Sequence, residues 1–324
     1  MATPHKFKKP SYSVIQTLKK NKEELERLNK IEQECDKVIF DGRPFATRSC
    51  LKIDLNFVKS IFGPSEFYYY ENINGRKFYL FGEYHQKLVA EPPQRIGNTL
   101  LFTSFIHSLV TTYPHKTYDL FFEEPGSSDS DSDILNKILF QFDDCIQPSK
   151  RVYCPYNNFR IHFINMRLRP GAHQLISFLE QTPINLPEFK RKLIIFLNSR
   201  IIQKQFRAIE NTYISTLLNQ FFLSKIALIN MSLSSLDYNT FHTYTSLIMD
   251  MYSIPRILRS FSSKIKKGNQ FAGTSENVIY YTGNYHTLFL KEFLETIRIK
   301  PTYSITNGRK SFININDDFL RKFH

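Results

Sequence analysis

The sequence predicts an α/β fold: a mostly parallel central sheet flanked by helices, with a helical insertion and terminal β-hairpins. Three observations predict it. Short apolar runs rich in Phe, Tyr and Ile alternate with helical periodicities over residues 67–181 and again from residue 278. Between these stretches, residues 186–267 hold long helical patterns and no convincing strand. Gly-x-Tyr-His closes two distant apolar runs, as Gly82-Glu83-Tyr84-His85 and as Gly283-Asn284-Tyr285-His286.

The elements follow in order. Residues 1–12 are basic, carry Pro4 and Pro10, and read as disordered. Over residues 13–38, Ile15, Leu18, Leu25, Leu28, Ile31 and Cys35 recur at three- and four-residue steps, the pattern of an amphipathic helix. That helix either packs on the main domain or pairs with a partner chain. The chain thus divides into an extension, 1–66, and an α/β domain, 67–324. Residues 67–81 read as a hairpin, because the Asn74-Gly75 pair between two aromatic runs suits positive φ. A helix over 95–112, a strand over 118–123 and a helix over 133–142 come next. A strand over 159–166 and a helix over 171–181 follow. Residues 193–202, 213–233 and 241–261 read as long helices of an insertion that forms a lid or one wall of a cleft. A strand at Val278, a helix over 285–297 and a closing hairpin over 302–315, split by Asn307-Gly308, complete the domain.

Composition bounds the function. The chain has 324 residues, 42% of them hydrophobic, with 30 Phe, 18 Tyr and no Trp, which suits a sizeable core. The formal charge of +13 favours an anionic partner or nucleic acid. Its basic residues are dispersed, however, at 6–9, 19–22, 190–192, 264–267 and 309–310, and no nucleic-acid motif accompanies them. Cys35, Cys50, Cys145 and Cys154 form no Cys-x-x-Cys pair, so free thiols and a reducing compartment are expected rather than a disulfide framework. The first residues lack the apolar core of a secretory signal, and no apolar stretch is long enough to span a membrane; an intracellular protein is expected.

The strand ends carry the chemistry. In α/β sheets, ligands bind beyond the carboxyl ends of the strands. The two Gly-x-Tyr-His turns place His85 and His286 at that edge, with Glu83 beside the first. A glycine at each turn lets the backbone bend sharply. The strand over 118–123 runs into Glu123 and Glu124, of which alternation sends one toward the site. Arg167 ends the strand over 159–166 on the same edge, whereas Arg160, at the other end, and His162, in the middle, read as structural. Imidazoles and carboxylates bind a divalent metal or activate water, and an arginine nearby suits a carboxylate, a phosphate or a developing oxyanion. The spacing excludes a helix-borne His-Glu-x-x-His site, a P-loop and a Gly-x-Ser-x-Gly elbow. The run Gly126-Ser-Ser-Asp-Ser-Asp-Ser-Asp133 lacks EF-hand spacing and reads as a solvated loop.

This order of motifs resembles the superfamily that includes the erythromycin esterases, the ChaN-like haem-binding lipoproteins and the TraB/Tiki proteins. Tyr79-Leu80-Phe81-Gly82-Glu83-Tyr84-His85-Gln86 is similar to its first motif, and Phe121-Phe122-Glu123-Glu124-Pro125 to its acidic step. Tyr281-Thr282-Gly283-Asn284-Tyr285-His286 is similar to its last. Residues 160–167 and 249–256 resemble an uncharacterised branch from large DNA viruses. There Asn165 stands where Asp is expected, and Tyr252 and Arg256 share a helix face from which Arg256 either reaches the cleft or serves the structure. The resemblance spans residues 67–300 and implies an α/β core with the motifs at one sheet edge, in a host cytoplasm or a virion. The expected activity is a metal-assisted or His/Glu-activated hydrolase of an ester or peptide bond. Its metal (Mn, Zn or Co) would be held by His85, Glu124 and His286, water would be oriented by Glu83 or Glu124, and the oxyanion would be met by Arg167 or Arg256. The rival expectation is a non-enzymatic virion or host-interaction protein on the same scaffold, binding nucleic acid through its basic surface.

Overall fold

A computed structural model describes residues 39–40, 43–44, 55, 58–84, 99–123, 142, 145, 154, 156–164, 170–180, 185–229, 238–261, 271–308 and 312–323. The expected helices over 13–38 and 133–142 and the acidic loop at 126–133 lie outside these residues. The fold is α/β. The described strands are β1 (Ile39–Phe40), β2 (Arg43–Pro44), β3 (Ser60–Phe62), β4 (Glu66–Ile73), β5 (Arg76–Glu83), β6 (Thr99–Leu101), β7 (Tyr118–Phe122), β8 (Phe159–Phe163), β9 (Asn277–Gly283), β10 (Tyr303–Thr306) and β11 (Phe312–Asn314). The helices are α1 (Phe102–Thr112), α2 (Pro170–Leu179), α3 (Leu186–Leu197), α4 (Arg200–Phe206), α5 (Thr212–Ala227), α6 (Tyr238–Leu258), α7 (Asn284–Thr296) and α8 (Asp317–Arg321).

The main sheet is mixed and six-stranded, in the order β10-β4-β5-β9-β7-β8. From β5 to β8 its neighbours run parallel, whereas β4 is antiparallel to β5 and β10 to β4. Its strands read as continuous apolar runs because both faces are covered. Phe78, Leu80, Phe121, Val278 and Tyr280 face α2 to α7, and Tyr79, Phe81, Leu120, Phe122, Ile279 and Tyr281 face α1, α8 and the small sheet β11-β3-β6. The helical insertion is therefore a wall of the core. Its start signals are legible: Asn185 and Asn211 cap α3 and α5, each side chain accepting a backbone N–H at 3.1 Å. No helix among the described residues is long and apolar enough to cross a membrane.

Several expectations change. The β4–β5 turn is the two-residue Asn74-Gly75, with φ of 55° and 76°, so the strands run longer than the aromatic runs suggested. The expected closing hairpin does not form: β10 pairs with β4 and β11 with β3, so the chain crosses from one sheet to the other at Asn307-Gly308. Residues 99–101, expected to be helical, form β6, because pairing with β3 outweighs their helical pattern. Residues 193–202 hold the end of α3 and the start of α4 instead of one helix. The core takes in Leu55, Val58 and Ile61, ahead of residue 67. Cys145 and Cys154 form a disulfide, which departs from the expectation of free thiols. Cys145, Cys154 and Tyr156 pack on the α1 side of the core, with Tyr156 at His107, and the two cysteine Cα atoms stand 4.3 Å apart.

Candidate functional site

The site grows out of topology. From β5 the chain leads to α1, and from β7 to Phe142 and Tyr156, all on the α1 side; from β9 it turns to α7 on the opposite side. Connections that diverge in this way mark the carboxyl end of β9 as the place where open α/β sheets hold ligands. Pairing puts Glu83 level with Gly283, and Phe122 level with Tyr281, so Glu83 and Glu123 flank the Gly283 turn on either side.

Alternation then separates the two carboxylates. Glu123 follows Phe121 and belongs to the helical face; Glu83 follows Phe81 and belongs to the other. Glu83 is buried and accepts the Tyr281 hydroxyl. Burial, reinforced by that carboxylate, pushes the Tyr281 phenol well above its ordinary value. On the helical face His286, 4% exposed, stands in the first turn of α7. Its Nδ1 lies 2.7 Å from Asp250 Oδ1 of α6, and its Nε2 lies 3.7 Å from Glu123 Oε2. The Gly283 N–H donates to Glu123 Oε2 at 3.3 Å, so the positive end of α7 faces this carboxylate. Burial pushes the Asp250 carboxyl above the usual range; His286 pulls it down and the charge of Glu123 pushes it up.

The doubled motif acquires a different physical reason. Neither Gly82 nor Gly283 has positive φ, so neither is required for a sharp turn; Gly283 has φ −55°. Gly82 is needed because Asn284 crosses it. A Cβ there would overlap Asn284 Oδ1 and stand 3.3 Å from the Thr287 side chain. Asn284 cannot easily yield, since its Nδ2 donates to buried Glu66 Oε1 at 3.0 Å. Gly82→Ala is therefore expected to destabilise the fold by about 1–3 kcal/mol, read as a lower denaturant midpoint. An unchanged midpoint would mean that α7 is not pressed against β5.

Of the expected residues, the structure joins His286 to Glu123 and places Glu83 on the other face. His85, Glu124 and Arg167 lie outside the described residues. Arg256 shares a face with Tyr252, its guanidinium 5.6 Å from the ring, and keeps company with His162 and Arg259 rather than with His286. Asp250 went unselected, although a lone carboxylate in the apolar run Leu247-Ile248-Met249-Asp250-Met251 is itself a signal of a partnered buried charge. Among the described residues no group of three or more His, Cys, Asp or Glu is placed to hold a metal ion. Protein-family models, curated proteins and solved structures offer no match to this chain.

Proposed function

We propose that the chain is a hydrolase of an ester or peptide bond, on the paired Gly-x-x-His scaffold its motifs resemble, with His286, Asp250 and Glu123 as working groups. The observation that carries this reading is one buried imidazole held by one carboxylate and facing a second, at the carboxyl end of β9. Asp250 accepts the Nδ1–H of His286 and fixes the tautomer, which leaves the Nε2 lone pair free to take a proton. The 3.7 Å between Nε2 and Glu123 Oε2 is too long for a direct hydrogen bond and short enough for both to reach one water. In this reading His286 takes one proton of that water as its oxygen attacks the carbonyl carbon and returns it to the alcohol or amine that departs as the ester or peptide bond breaks, while Glu123, steadied by the Gly283 N–H, accepts a hydrogen bond from the other O–H and orients the water.

The same pair offers one nitrogen and one oxygen donor to a divalent metal, with Asp250 backing the histidine. A catalytic zinc takes about three protein ligands; His85, with Glu124 beside Glu123, would complete the set. When bound, such an ion supplies a water of lowered pKa. The test is metal content together with an ester and peptide panel for the wild type, His286→Ala and Glu123→Gln. Each substitution is expected to lower the rate about 10²–10⁴-fold. A wild type inert across the panel, or a His286→Ala variant of full activity, ends the enzyme reading. The exposed Ile194, Ile195 and Ile201 beside Arg200 and Lys204 then become the surface to examine for a binding role.

A further inference from the structure

A second polar centre lies under the C-terminal end of α6, away from His286. Asp119, on the helical face of β7, is fully buried. Its Oδ1 accepts from Arg160 Nε at 2.6 Å and meets His162 Nε2 at 2.8 Å; its Oδ2 accepts from Arg160 Nη2 at 2.7 Å. Both oxygens are thus occupied. The His162 ring is stacked between Phe121 and Phe261, at 4.5 Å and 5.0 Å. Burial, with Arg256 and Arg160 nearby, lowers the His162 pKa against the pull of Asp119.

Three further guanidiniums crowd this centre. Arg76, 4% exposed, donates from Nη2 to Ile257 O of α6 at 2.8 Å, while its Nη1 is buried with no hydrogen-bond partner. Arg256 and Arg259 flank Ile257, and each has a buried Nε–H without a partner. Arg259 donates from Nη1 to Gln205 at 2.8 Å, and Arg256 has no hydrogen bond or ion pair among the described residues. Among the described residues, Arg76, Arg160, Arg256 and Arg259 have as counter-charges buried Asp119 and, near Arg76, exposed Glu210, a surplus of two positive charges. Like charges three residues apart on a helix repel, and burying them unpaired is costly. Cations do favour a helix C-terminus, and Arg76 caps one carbonyl there. That accounts for one N–H and leaves three orphans.

We propose that Arg76, Arg256 and Arg259 form the binding site of a phosphate-type dianion, either free phosphate or a phosphoryl group on a larger ligand. The surplus of two charges matches a phosphoryl group, which carries about −1.5 to −2 at neutral pH. Its oxygens accept the three unpartnered N–H groups, and the planar guanidinium fork suits that geometry. The site is independent of the hydrolase reading, because no residue is shared.

The test titrates the full 324-residue chain with inorganic phosphate at constant ionic strength, against acetate, and reads melting temperature and binding heat. A saturable rise with phosphate and none with acetate is expected. Arg256→Gln and Arg259→Gln are each expected to weaken binding about tenfold or more, while His286→Ala leaves it unchanged. In phosphate-free buffer Arg256→Gln melts at or above the wild type, since it relieves repulsion; an arginine of purely structural value would give the opposite sign. If the glutamine variants fail to fold, Arg256→Lys, which keeps the charge and loses the fork, must still weaken phosphate binding. No saturable response, an equal response to acetate, or a response that survives these substitutions overturns the proposal. A phosphorylated ester or peptide that binds where free phosphate also saturates marks the phosphoryl group as part of a larger ligand; competition between the two confirms one site.

Discussion

Asp119→Asn costs the fold about 3–5 kcal/mol, a drop of roughly 5–10 °C in melting temperature. Asparagine keeps the shape and removes the charge, so no cavity enters the result. What changes is that Arg160, 3% exposed, loses its bidentate anion while Arg76, Arg256 and Arg259 lose a buried negative charge near them. The pH dependence gives the sign. Burial by itself would raise the Asp119 carboxyl; His162 and Arg160 outweigh it and hold the carboxyl well below the ordinary range. A depressed carboxylate contributes stability above its unfolded pKa of about 3.9, lost as pH falls through the folded value. The wild type therefore destabilises steeply on acidification, and the variant less so. Melting curves from neutral pH down to the acid limb check this; parallel acid limbs would show that Asp119 is not held ionised.

The same substitution at Asp250 has the opposite signature. Asp250→Asn leaves the melting temperature near neutral pH unchanged or higher, yet lowers kcat/KM on any substrate the wild type hydrolyses by about 10³–10⁴-fold. Burial raises the Asp250 carboxyl, and the neighbouring Glu123 adds to it against the pull of His286, so keeping this carboxylate ionised costs the folded protein stability. A raised carboxylate contributes stability below its unfolded pKa and loses it as pH rises through the folded value. Asparagine is the neutral form at every pH, so the variant lacks that decline. It also turns the hydrogen bond around: an amide that donates to Nδ1 places the proton on Nε2, the nitrogen that must accept one. Differential melting against pH, with rates measured in parallel, separates stability from catalysis. A stability loss as large as that of Asp119→Asn would show that His286 outweighs burial at Asp250, and the expected upward shift of its carboxyl would fall.

How far the sequence could be read depends on how local each signal is. Asn74-Gly75 and the apolar strands act within a few residues of themselves, and they lead to the right elements; Asn185 is as local a signal, yet the helix it caps is expected from 193 and starts at Leu186. The fate of β10 and β11 is decided by β4 and β3, more than 200 residues earlier, and no property of residues 302–315 announces that they part company. Residues 99–101 illustrate the same limit, since β3 supplies the reason they extend. At the site, His286 and Glu123 were visible because strand ends and glycines mark them. Asp250 was hidden because its partner is 36 residues away on another helix. Asp119 and Arg160 show that alternation finds faces better than roles: both sit on strands, and only the register of β7 with β8 makes them a pair.

The position of β9 has a consequence for how the chain comes to be folded. β5 finds its partners in β4 and β9, and β7 finds its own in β8 and β9. Until synthesis passes residue 283, the N-terminal portion of the sheet exists as two unconnected leaves, a hairpin and a parallel pair, each with an unprotected edge. The strand that joins them comes from the last sixth of the chain and bridges sequence separations of about 200 residues, the kind of contact that forms late. The joining of the two leaves and the meeting of Glu123 with His286 therefore wait for the same strand, and a nascent chain carries Glu123 without its partner until residues 277–286 are made.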